Sequence, residues 1–195
     1  MLFTYDHVFN FNKSQTMDNS SNWINHLESS PDGNSISFFH RWISAYGRFT
    51  RLICYVNQKL EILNGDIMTS HMSWIDNDKV VAFCSSNICE NKYHLFSIKN
   101  KQNVKILEKL PSTDGHPILL NNKIITDTYP NKAGYSKLIE FDLISNDSEL
   151  IDDIKNFNDV CEENKLNSLE ISKVEKALYC LKQNSKVRNK VEKNT

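Results

Sequence analysis

His26-Leu-Glu-Ser-Ser-Pro-Asp-Gly-Asn-Ser-Ile-Ser-Phe-Phe-His40, His71-Met-Ser-Trp-Ile-Asp-Asn-Asp-Lys-Val-Val-Ala-Phe83 and His116-Pro-Ile-Leu-Leu-Asn-Asn-Lys-Ile-Ile-Thr-Asp127 are the stretches that decide the fold. Each opens on a histidine, crosses a polar turn and enters an alternating run of the β type. The turns are Pro31-Asp32-Gly33, Asp76-Asn77-Asp78 and Asn121-Asn122. From His26 to His71 is 45 residues, and from His71 to His116 is 45 again. The register persists beyond these runs, since Leu95-Phe96-Ser97-Ile98 matches Glu140-Phe141-Asp142-Leu143 at the same offset.

Around that repeat, β-branched and aromatic residues mark four short strands per unit. They are expected near 24–28, 34–41, 49–56 and 59–63; 69–74, 79–85, 92–98 and 103–107; and 116–119, 123–128, 136–143 and 148–151. Four strands in about 40–45 residues is the size of a β-propeller blade. The fold class is therefore all-β: residues 1–151 as an incomplete propeller, with blades near 24–66, 67–112 and 113–151. Residues 3–17 read as the outer two strands of a preceding blade. From 152 to 195 the pattern gives way to a polar, helical C-terminal tail. Asn167 and Glu170 there resemble a capping box, and Ile171, Val174, Leu178 and Leu181 keep one apolar face at helical spacing. Three units fall short of the four to eight blades of a closed ring. The exposed edges would have to be covered by the tail, a second copy or a companion chain.

Composition narrows the partners. Lys+Arg 23 against Asp+Glu 24 leaves a net charge of −1, which gives no reason to expect nucleic acid or an anionic membrane. No apolar run reaches the roughly 20 residues of a membrane span, and the start lacks the layout of a signal peptide. Cys54, Cys84, Cys89, Cys161 and Cys180 are scattered without CxxC pairs, so neither a disulfide framework nor a zinc ribbon is indicated. A reducing, cytoplasmic setting is the expectation.

In propeller geometry the first strand of each blade lines the axis, so His26, His71 and His116 are expected to converge. Three imidazoles suit a divalent transition metal. The alternative is that each histidine caps its strand or bonds the neighbouring blade. The end of the second strand lies on the same rim, which brings His40-Arg41-Trp42, Ser85-Ser86 and Asp127-Thr128-Tyr129 toward the mouth. Arg41, Arg48 and Arg51 suit bidentate capture of a carboxylate, with Arg48 and Arg51 expected close to one side of their strand; edge-strand solvation is the competing role for Arg48. Trp23, Trp42 and Trp74 could stack on sugar rings or pack blade against blade.

Seven short motifs together resemble the oligogalacturonate-lyase-like β-propeller proteins. They are Trp23-Ile-Asn-His26, Ser30-Pro-Asp-Gly33, Phe39-His-Arg-Trp42, Arg48-Phe-Thr-Arg51, Ser70-His-Met-Ser-Trp74, Asp114-Gly-His-Pro117 and Ile125-Thr-Asp-Thr-Tyr-Pro130. The resemblance covers about residues 5–145. It implies a manganese-type divalent ion held by His26, His71 and His116, with His40 as the candidate base and Arg41 facing a substrate carboxylate. Arg48, Arg51, Trp42 and Asp127 would line the substrate side. The implied chemistry is β-elimination on an acidic, uronate-containing oligosaccharide, in which a base removes the proton α to the carboxylate. Relatives usually add a further blade opening on another histidine, and here no histidine follows His116. Two functions of different class are thus expected: a metal-dependent lyase, or a truncated, non-catalytic propeller fragment that binds carbohydrate or serves assembly in surface-polysaccharide metabolism.

Overall fold

A computed structural model describes residues 2–154 except 66, 88, 133 and 134. The expected helix at 167–183 lies outside the described residues. The described residues fall in two units, residues 2–129 with Lys137–Asp152, and Pro130–Ser136 with residues 153–154. In the second, the described residues include a turn closed by Asn131 and Tyr135: the Tyr135 carbonyl accepts from the Asn131 amide at 2.8 Å.

Twelve strands form three four-stranded antiparallel sheets, each in simple sequence order. The first holds β1 (Ser21–Ser29), β2 (Ile36–Ser44), β3 (Gly47–Val56) and β4 (Lys59–Asn64). The second holds β5 (Met68–Trp74), β6 (Lys79–Ser85), β7 (Lys92–Ser97) and β8 (Gln102–Ile106). The third holds β9 (Ile118–Leu120), β10 (Lys123–Asp127), β11 (Ser136–Asp142) and β12 (Asp147–Ile154). Each sheet is open, with its first strand at one edge and its fourth at the other. The 45-residue period is therefore the period of the sheets. The last strand runs three residues past the expected boundary at 151, into the start of the expected tail.

Turn chemistry explains much of this regularity. Asn57-Gln58 joins β3 to β4 and Asn121-Asn122 joins β9 to β10, all four residues at positive φ. Two-residue loops of that kind match the twist of the flanking strands. Among the described residues, seven of the ten non-glycine positive-φ positions are asparagines. The abundant asparagine thus does local conformational work that a chain with only 5 glycines cannot assign to glycine.

The core lies between sheets. Phe39, Leu52, Cys54 and Leu63 of the first sheet pack with Met72, Trp74, Val80, Ala82, Cys84 and Phe96 of the second. Val81, Phe83, Tyr93 and Leu95 of the second pack with Ile124, Ile139 and Phe141 of the third. Odd and even residues of one strand serve opposite faces, as the period of two requires. Burying Trp74, Phe39 and their neighbours removes large apolar areas from water at about 25 cal/mol per Å2, the main force between the sheets.

The N-terminal segment corrects the expectation of two strands at 3–17. It forms a short helix, α1 (Tyr5–Asn10), followed by a 3-10 turn at Gln15–Met17. The Thr4 hydroxyl accepts from the His7 amide and Ser14 accepts from Thr16, so each turn carries its own N-cap. Val8 is fully buried against Phe38 and Ile53, and Phe3 stacks on Phe38 at 5.2 Å. α1 therefore covers the outer face of the first sheet. Among the described residues no helix is long and apolar enough to cross a membrane.

Candidate functional site

Three neighbouring edge strands bring the repeat histidines together. The ring centroids of His26 and His71 are 5.5 Å apart, and those of His71 and His116 are 4.2 Å apart. Each histidine stands where regular pairing breaks. His26 lies in an irregularity of β1 between Asn25 and Glu28, and its φ of 52° is left-handed. His71 lies in the corresponding irregularity of β5, between Thr69 and Met72. His116 precedes β9, next to Pro117, which has no amide to donate. The expectation that all three open their strands does not hold: His26 and His71 lie within β1 and β5, and His116 stands two residues before β9. Bulges re-aim side chains out of the pleat, which is how these rings leave the alternation of their strands.

Carboxylates stand behind two of the rings. His71 Nδ1 lies 3.0 Å from Asp114 Oδ1, and the Ser70 hydroxyl donates to the other oxygen of Asp114. His116 Nδ1 lies 3.1 Å from both oxygens of Asp127, whose Oδ1 also accepts the His116 amide at 2.6 Å. A carboxylate on Nδ1 fixes the tautomer and turns the Nε2 lone pair of the neutral ring the other way. Tyr129 closes the cluster, with its ring 6.2 Å from His71 and 5.9 Å from His116. Gly115 makes the arrangement possible, because a Cβ there would stand 1.8 Å from the Asp127 carbonyl oxygen. The segment Asp114-Gly115-His116 is pressed onto β10 with one carboxylate and one imidazole on either side.

His26 differs. It is exposed, and among the described residues its ring contacts are Phe39 at 5.2 Å and His71, with no hydrogen bond. Desolvation, followed by His71, Arg41 and His116, lowers its pKa, an effect that the exposure of the ring screens.

The register of β2 against β3 sorts the other expected site residues. Arg41 pairs with Thr50 and Ile43 with Arg48, on the face shared by Phe39 and Leu52, toward the second sheet. Arg41 Nη2 donates to the Ser70 carbonyl at 3.1 Å and its guanidinium lies 5.1 Å from the Phe39 ring centre. Burial, then Arg48, lowers its pKa, while Asp114 works against them. Among the described residues, none is a hydrogen-bond partner of its buried Nε. Arg41, Arg48 and Asp127 thus share the cluster's side of the structure.

His40, Arg51 and Trp42 do not. They lie one residue out of phase, on the outer face beneath α1. His40 is fully buried between Arg51 Nε, at 3.0 Å from Nδ1, and Asn22 Oδ1, at 2.9 Å from Nε2. Arg51 also donates to the carbonyls of Val8 at 2.9 Å and Asn12 at 3.1 Å, which caps the end of α1. Trp42 is fully buried, stacks on Phe49 at 5.4 Å and donates to Thr16 Oγ1. The expected base is therefore part of an N-terminal clamp. Arg48 and Arg51, expected on one side, are three apart in a strand and so face opposite ways.

Asp114 and Ser70 are the members that spacing did not mark. Subtracting 45 from Asp114 reaches Thr69, so no acid recurs there for periodicity to reveal. Among the described residues no group of three or more His, Cys, Asp or Glu is already arranged as a metal-ligand set. The donor chemistry nevertheless fits a divalent transition ion: adjacent imidazoles with carboxylates behind them. Family models, curated proteins and solved structures give no match to the chain.

Proposed function

We propose that the three sheets are propeller blades and that His26, His71 and His116 mark a divalent-cation site, of the manganese type, that receives a carboxylate-bearing oligosaccharide. The observation that carries this reading is the convergence of the three rings from three sheets, with Asp114 and Asp127 behind two of them. His71 and His116 would hold the ion. When bound, it would supply a Lewis acid for polarising a carboxylate. Arg41 presents a guanidinium beside the rings and suits the same charge. The resemblance in the seven motifs supports an acidic sugar as the ligand class.

Binding is favoured over β-elimination by one observation. An elimination needs a base within reach of the α-proton, and His40 is turned to the other face and held by Arg51. The protein is read here as a binding module for acidic carbohydrate, with the lyase activity as the second reading. Calorimetric titration with Mn2+ tests the site: saturable binding in the wild type and at least about tenfold weaker binding in H71A is the expected result. Absence of Mn2+ binding would sink the metal reading. Appearance of unsaturated uronate, followed by ultraviolet absorbance with oligogalacturonate and Mn2+, would establish the lyase over the binding module.

A further inference from the structure

The N-terminal segment is held to the first sheet by a buried chain of hydrogen bonds whose direction is fixed. Asn22 Nδ2 donates to Ser20 Oγ at 2.7 Å and to the Ser20 carbonyl at 3.2 Å, so the Asn22 oxygen faces His40 Nε2. Arg51 Nε donates to His40 Nδ1 at 3.0 Å. The ring is therefore the neutral tautomer with its proton on Nε2, giving to Asn22 and accepting from Arg51. The terminal nitrogens of Arg51 donate to the carbonyls of Val8 and Asn12 at 2.9 and 3.1 Å. His40 and Arg51 are both fully buried. Trp42, beneath the same segment, lies 5.4 Å from the His40 ring and donates to Thr16 Oγ1. The hold on α1 thus depends on one ring nitrogen staying unprotonated.

A proton on Nδ1 has no place in this arrangement. It would set N–H against N–H at 3.0 Å and an imidazolium against a guanidinium, away from water. Arg51 has no acceptor to turn toward it, so it must leave and give up both α1 carbonyls. Nothing else packed here offsets that charge. Tyr5, Asp6 and His7 of α1 are exposed, Lys13 pairs with Asp18 at 3.1 Å, and Tyr55 of β3 packs on Phe3. From β1 and β4 come Asn22, Ile24, Leu60 and Ile62, none of them charged. Among the described residues, the charge that acts on the His40 ring is that of Arg51. We propose that His40 and Arg51 form an acid-operated latch: a proton taken up from solvent by His40 expels Arg51 and frees the segment 3–17, while the three sheets stay joined. This is independent of the cation reading, since His40 lies on the face away from the histidine cluster.

The test is amide hydrogen exchange on the full chain between pH 7 and 5, corrected for the intrinsic pH dependence of exchange. The amides of Val8, Phe11 and Met17 bond within the segment and report its release; those of β6 and β7 report the sheets. Burial, then Arg51, lowers the His40 pKa to about 4, whereas the released ring titrates near 6.5. Release is thus favoured as pH falls below about 6.5 and levels off below about 4. Segment protection is expected to fall about twentyfold from pH 7 to pH 5, with β6 and β7 unchanged. H40Q removes the titrating ring and is expected to flatten the profile; H7Q, at an exposed position on α1, is expected to keep it. An equal fall in the sheets, a flat wild-type profile, a segment unprotected at pH 7, a slope retained in H40Q or one lost in H7Q would each overturn the latch. Should H40Q not fold, the His40 ring resonances of the wild type decide: they must shift with the same midpoint as segment release, and a separate midpoint overturns the proposal.

Discussion

At the scale of single residues, Gly115 carries more of the site than any residue with a functional group. Its missing Cβ lets the chain lie on the Asp127 carbonyl, and on either side of it Asp114 then reaches His71 and His116 reaches Asp127. G115A must push backbone against backbone, which no rotamer change relieves. A loss of about 2–3 kcal/mol in a urea melt is expected, since overpacking commonly costs that much. G65A is the control: nothing lies within 4 Å of a Cβ there, and a change within about 0.5 kcal/mol is expected. Equal losses in the two variants would remove the close approach as the explanation. The motif Asp114-Gly-His-Pro117 is visible in the sequence, but a glycine's role is defined by what its side chain would strike, and only the folded chain supplies that.

At the scale of elements, the clamp between α1 and the first sheet is an acid-sensitive joint. Burial, then Arg51, lowers the pKa of His40 to about 4. Between that value and about 6.5 the unfolded chain binds a proton at this position that the folded chain refuses. Stability therefore falls as pH drops through this window, by about 3 kcal/mol from His40 once it is crossed. Desolvation pushes Glu28 up to about 7, which acts in the opposite sense, but that carboxyl is exposed and its share is screened. Denaturant midpoints between pH 7 and 4 should drop more steeply in the wild type than in H40Q, where the Glu28 contribution is common to both. Parallel profiles would show that His40 carries none of the slope. Strand positions were legible to within a few residues because alternation and asparagine turns are local signals. The helix at 5–10 was not: Phe3-Thr-Tyr-Asp-His-Val-Phe alternates well enough for a strand, and the deciding contacts are Val8 on Phe38 and Arg51 on the Val8 carbonyl.

At the scale of the whole molecule, the described sheets are joined by side chains between their faces. Trp74 is buried in the shared core and donates to the Glu28 carbonyl across the gap at 3.2 Å, whereas Lys101 meets Glu61 at the rim at 2.6 Å. W74A should cost about 3–5 kcal/mol, and K101A about 0.5 kcal/mol or less. Thermal melts of the two variants would check this, and a comparable fall in both would assign the rim more weight than exposed ion pairs usually have. Periodicity reveals what recurs, so the convergence of His26, His71 and His116 could be anticipated. It cannot reveal Asp114, or tell His40 from Arg41, until cross-strand register assigns faces. The asparagines of the tight turns also have a consequence in the denatured chain. Glycine would enter the left-handed region more easily, but it would also leave the unfolded chain a larger set of conformations to lose. With asparagine at Asn57, Asn91, Asn121, Asn122 and Asn146, these turns accept some local strain in the native state. In return they narrow the ensemble from which folding starts, so part of their contribution lies in a state that no native contact describes.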